Sequence, residues 1–163
     1  MKVALQYTLR DYYDAARLHY AGSKVKYVLA IFGIIFVICG IVMISLADLI
    51  AGLGGLFELL VGAYFLTYAY VGLWFKARYA FNRAPGFRAP HNFEINETEL
   101  KIDTPGRGVA IWYWKTFIGS RQNAKVLLFY ISDRLYIIFP QRAFTDSEWQ
   151  QVVAISQSKV PRL

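Results

Sequence analysis

One cysteine, Cys39, stands in the 163-residue sequence, so no disulfide can form within the chain and no cysteine cage for a metal is available. Histidine is nearly as scarce. The two residues, His19 and His91, have no Cys or Asp/Glu cluster beside them at metal-ligand spacing, and no metal site is expected. There is no Gly-x-Ser-x-Gly, no P-loop and no Gly-x-Gly-x-x-Gly. The stretch GLGG, Gly52 to Gly55, reads as small residues for helix contact rather than as a phosphate loop. The carboxylate pairs Asp11/Asp14 and Glu97/Glu99 read as solvated charges on a helix surface and at a strand turn. With no residues to carry a reaction, the expectation is a non-enzyme without a cofactor.

Charge is the next absence. VLAIFGIIFVICGIVMISLA, Val28 to Ala47, has none. At about 1.5 Å rise per residue such a run crosses a hydrocarbon core of about 30 Å. LGGLFELLVGAYFLTYAYVGLWF, Leu53 to Phe75, has one, Glu58. Two transmembrane helices, 28–47 and 53–75, are therefore expected, joined tightly through Asp48 as an antiparallel hairpin. A cleaved signal peptide fits poorly: the run is long, many residues precede it and a second span follows.

Positive charge is present where it fixes sidedness. Lys24 and Lys26 precede the first span, and Lys76, Arg78, Arg83 and Arg88 follow the second with no acidic residue among them. The positive-inside rule then places both termini in the cytoplasm. The net charge of +7 is read partly in this way, and no nucleic-acid partner is expected. These six cations are candidates for binding anionic lipid headgroups; fixing topology alone is the plainer role. Glu58 is the candidate membrane-helix contact, to a second copy or a partner helix, against a plainer reading in which it snorkels or is protonated.

The flanks are soluble in texture. In segment 1–23, Val3, Leu5 and Tyr7 alternate like a strand face, and Thr8 with Asp11 marks a helix start. Leu9, Tyr12, Tyr13, Ala16 and Tyr20 form the apolar face of that helix, with Asp11 and Asp14 on the polar one. Packing on the C-terminal domain is favoured over an interfacial helix on the membrane.

RAPGFRAP, Arg83 to Pro90, reads as a linker. A domain at 91–160 follows. HNFEIN and ELKIDT, then VAIWYWKTF (Val109 to Phe117), then KVLLFYI and RLYIIF read as five strands, with turns at PGRG and SRQN. Thr145 and Glu148 form a capping box, and Trp149, Val152, Val153 and Ser156 make the inner face of a final helix. The fold class is thus a membrane α-helical hairpin plus an α+β soluble domain, an antiparallel β-meander with a C-terminal capping helix. The N-terminal strand can join its edge.

LYIIFPQRAFTDSEW, Leu135 to Trp149, resembles the C-terminal motif of the YcxB-like family, in which a strand meets Pro-[Lys/Arg/Gln]-Arg-Ala-Phe and then a helix. FEINETELKI, Trp114 with Phe117 and Ile118, and YTLRDYYDAARLHYAGSK are also similar to that family. The resemblance implies a small bacterial membrane protein with a pleckstrin-homology-like domain, and no established reaction. Trp112, Trp114 and Arg142 are the candidate protein interface. The expected role is binding, to a protein partner, a second copy or membrane lipid. Immunity against a membrane-acting toxin is one form of it; a lipid-sensing or regulatory module is the alternative.

Overall fold

The computed structural model describes residues 1–46, 49–83 and 85–163. It divides into two units, one formed by Met1–His19 with Ala77–Leu163 and the other by Tyr20–Lys76.

In the first unit, alternation produces β1 (Lys2–Gln6), with Val3, Leu5 and then Tyr7 buried and the residues between them exposed. The cap predicted for α1 (Leu9–Ala21) is present: Thr8 N and Oγ1 both donate to Asp11 Oδ2. The face it buries differs from the expected one. Asp11, Asp14 and Ala15 are buried, while Tyr12 and Tyr13 are half-buried. Both carboxylates have cationic partners, Arg142 for Asp11 and Lys125 and Arg10 for Asp14, which lowers the cost of their burial.

β2 (Pro90–Ile95), β3 (Glu99–Thr104) and β4 (Gly108–Tyr113) follow as hairpins, and β1 pairs antiparallel with β2, Val3 opposite Phe93. The β3–β4 turn uses Gly106 and Gly108 at positive φ, 77° and 111°. Pro90 lies in β2 rather than in a linker, and Pro85–Arg88 form a 3-10 turn.

The single five-stranded sheet expected from sequence is replaced by two sheets. The chain leaves extended geometry at Trp114–Thr116, a 3-10 turn, and restarts as β5 (Gly119–Gln122), the segment read as a turn. The break follows from Trp114 turning into the core: it is 4% exposed, and its Nε1 donates to Asn96 O at 2.9 Å. The result is a four-stranded sheet, β1-β2-β3-β4, and a three-stranded sheet, β5-β6-β7, with β6 at Val126–Tyr130 and β7 at Tyr136–Pro140.

α4 (Asp146–Lys159) begins at the capping box, Thr145 Oγ1 accepting from Glu148 N, and buries Trp149, Val152, Val153 and Ser156. One core joins both sheets and this helix through Phe93, Leu100, Phe117, Phe129, Phe139 and Val152. The last residues cover the edge of β5, with Ser120 N donating to Pro161 O at 2.7 Å and Leu163 N to Ser120 O at 3.0 Å.

The second unit holds α2 (Val25–Leu46) and most of α3 (Leu49–Arg83). Val25–Ser45 is long and apolar enough to cross a membrane. The expected second span meets that test only as two pieces, Gly52–Tyr68 and Val71–Arg83, bent by 56°. Ala47 and Asp48, which end the first expected span and open the connection, lie outside the described residues, as does Ala84 of the predicted linker.

The two helices meet at paired glycines. A Cβ on Gly40 would lie 2.7 Å from Gly55 O, and one on Gly62 would lie 2.8 Å from Gly33 O. The glycines are seven residues apart on each helix, as an antiparallel seam requires, and bare backbone allows the close approach.

Candidate functional site

Arg142 comes from the Pro-Gln-Arg-Ala-Phe segment, just after β7, where Gln141–Ala143 turn as a short 3-10 helix. Its guanidinium is engaged within the chain. Nε donates to Asp11 Oδ1 at 2.9 Å, Nη2 to Asp11 Oδ2, and Nη2 also to Gln6 O at 2.9 Å. This fork holds the first turn of α1 and the end of β1 against the motif. Burial pulls the Asp11 carboxyl up, but the hydrogen bonds from Arg142 and Thr8 and the Arg142 charge outweigh it and leave the pKa below the usual carboxylate value.

Trp114 is a core residue, closed in by Phe117 and Phe129 at centroid distances of 5.8 and 5.4 Å. Trp112 is half-buried over Phe117. Of the interface expected at Trp112, Trp114 and Arg142, the structure buries Trp114 in the core, leaves Trp112 half-buried, and ties Arg142 to Asp11 with its side chain still 48% exposed.

The exposed side of the same strand is different. Val109, Ile111 and Tyr113 are 54, 50 and 52% exposed. β4 ends the strand order of its sheet, so one edge has no neighbouring strand among the described residues. Trp114 N donates to Thr98 O. By the alternation of an antiparallel ladder, Trp112 and Ala110 then turn their backbone groups toward β3, and Val109, Ile111 and Tyr113 turn theirs outward. Edges are normally blunted by charge, proline or cover. β4, GVAIWY, has none of the first two, whereas the edge of β5 is covered by the chain's own last residues. Alternation alone could not reveal this, because it does not say which face of an aromatic-rich strand looks inward.

The basic candidates are each engaged locally where a contact is resolved. Lys26 donates to Ala21 O and lies over the Tyr27 ring. Lys76 lies over Tyr68, Arg83 over Tyr79 and Arg88 over Phe81. Arg88 also donates to Asn82 Oδ1 at 3.0 Å. Lys24 is exposed, and Arg78 is tied in by its neighbours. Cations seated on ring faces suit a surface where water meets an apolar phase.

Glu58 stands on α3 between the contact glycines Gly55 and Gly62, and its Oε2 is buried without a hydrogen-bond partner among the described residues. His19 contacts Tyr130 Oη at 3.1 Å, and His91 Nδ1 contacts Thr104 Oγ1 at 2.8 Å. Among the described residues no group of three or more His, Cys, Asp or Glu is placed to hold a metal.

Residues 95–156 match the family model described as YcxB-like protein, which supports the resemblance read from the motif. No curated protein and no solved structure matches the chain.

Proposed function

We propose, from the YcxB-like match as premise, that this chain is a non-catalytic bacterial inner-membrane protein whose cytoplasmic, pleckstrin-homology-like domain docks a protein partner along β4. The sheet of four, the sheet of three and the helix that follows them support the pleckstrin-like reading. The length and apolarity of α2 support the membrane reading. β1 and β2 pair although residues 20–76 separate them, so a chain that crosses in α2 must cross back in α3. The basic flanks support a cytoplasmic side for the joined domain.

The observation that carries the docking reading is the uncovered, uncharged β4 edge with Val109, Ile111 and Tyr113 outward. An extended segment of another protein can add there as a further strand, its backbone supplying affinity and its alternate side chains specificity. Immunity against a membrane-acting toxin is a concrete form of such binding. The alternative, a lipid-sensing module, draws support from the cations on Tyr27, Tyr68 and Tyr79.

A photo-crosslinking residue at position 111 of the full chain, in native membrane, should give one discrete protein adduct; the same residue at position 158, on α4, should not. Equal or absent adducts at both positions would remove the β4 reading.

A further inference from the structure

The first unit contains a groove unrelated to the β4 edge. It measures about 300 Å³ and lies between β1, β2 and β3 on one side and the start of β7 on the other. Tyr7, Phe93, Ile102, Tyr136 and Ile137 make most of its wall, and Leu135 is 56% exposed at its rim. Protein interiors are packed with few voids larger than a water molecule. An apolar gap of this size, open to solvent, is a place where an apolar ligand gains by displacing water.

Two polar groups mark the lining. Arg134, in the β6–β7 turn, is exposed and makes no ion pair or hydrogen bond among the described residues. His91 Nε2 is buried with no hydrogen-bond partner among the described residues. Burial is the main cause that holds the His91 pKa below its ordinary value; the Gly86 backbone opposes it and Arg107 adds to it. Its other ring nitrogen, Nδ1, lies 2.8 Å from Thr104 Oγ1.

We propose that this groove binds a single-chain carboxylate amphiphile of about ten carbons, its tail against Ile102, Tyr136 and Ile137 and its carboxylate held by Arg134. The size follows from volume: at about 30 Å³ for a group the size of water, the groove takes roughly ten such groups. It therefore has room for one short acyl chain. The head follows from charge, since an unpaired guanidinium presents a planar fork that matches a carboxylate. The proposal does not depend on the β4 reading.

The test uses the full chain in phosphatidylcholine nanodiscs with a decanoate that carries a diazirine at its tail, followed by mapping of the adducts. Adducts are expected on β7 and on Ile102. Unlabelled decanoate should compete for them, and octanoate about tenfold more weakly, because each methylene removed from water adds to affinity. Arg134→Gln, on an exposed side chain, should weaken decanoate several-fold and leave decanol unchanged. Ile102→Trp should fill the groove and abolish the adducts. Should that variant unfold, the Arg134→Gln and chain-length arms still decide. Adducts confined to residues 25–76, or adducts that decanoate does not displace, overturn the proposal. Competition by lysophosphatidylcholine equal to that by decanoate would overturn the carboxylate assignment. An Ile111 variant that loses its protein adduct should keep the decanoate adducts.

Discussion

Arg142 and Asp11 show how much one side chain decides. Asp11 is 4% exposed, so removing its guanidinium partner strands a charge beneath α1. Breaking a buried pair costs about 3–5 kcal/mol, and the half-exposed Arg142 side chain brings the expectation down to about 2 kcal/mol. Arg142→Ala should lower urea-unfolding stability by that amount. The cost should shrink in an Asp11→Ala background, as a double-mutant cycle would measure. The histidines set a pH dependence. Burial and then Arg121 lower the His19 pKa, and His91 is lowered as well, from an ordinary value of 6.5. The folded protein thus holds these protons less tightly than the unfolded chain. Stability is complete above pH 6.5 and falls as pH drops below it, because the unfolded chain gains protons that the folded one refuses. Tm should fall from pH 7.5 to 5.5, and His19→Gln with His91→Gln should flatten that decline.

Among the elements, the joint from β7 to α4 is the most exposed to a single substitution. Phe144 is 9% exposed, stacked on Phe139 with centroids 6.0 Å apart and set against Trp149 at 5.9 Å. Phe144→Ala should cost about 3–5 kcal/mol and make the soluble unit protease-sensitive while the chain stays in the membrane fraction. In the helical pair, Gly40→Val would drive a side chain into the Gly55 carbonyl, whereas Gly52 has nothing within 4 Å. Spin labels at Ile31 and Leu60 should report a wider, more heterogeneous separation for Gly40→Val, with an overpacking cost of about 1–3 kcal/mol, and no change for Gly52→Val. The capping box and the Trp149–Ser156 face of α4 were legible because local spacing fixes them. The division into two sheets was not. VAIWYWKTF reads as one strand until Trp114 finds the Asn96 carbonyl across the β2–β3 turn, and nothing local announces that contact. The burial of Asp11 and Asp14 was hidden for the same reason: Arg142 and Lys125, which pair with them, lie far along the chain, although Arg10 also pairs locally with Asp14.

At the scale of the whole molecule, sidedness and strand pairing constrain each other. In a Cys39→Ser background, Gly52→Cys should react with an impermeant maleimide added to intact cells, and Ser158→Cys only after lysis. The reverse pattern would overturn the cytoplasmic assignment. Deleting residues 1–8 removes β1, the strand that covers the β2 edge with Val3 opposite Phe93. The remaining domain should then melt at lower temperature even with the helices intact.

That pairing also sets a timetable. β1 ends at Gln6 and its partner begins at Pro90. At about 5–20 residues per second, a ribosome needs roughly 4–17 s to make the chain between them. On the two-span reading proposed above, the first strand waits for that interval, Val3 and Leu5 without cover, while α2 and α3 enter the bilayer. A nascent chain whose second helix failed to return would leave β1 and β2 on opposite sides, and no sheet could close. On that reading, closure of the sheet would act as a checkpoint on insertion: mis-threaded molecules keep open strands and hand themselves to proteases, and correctly threaded ones pair the first strand once β2 is made.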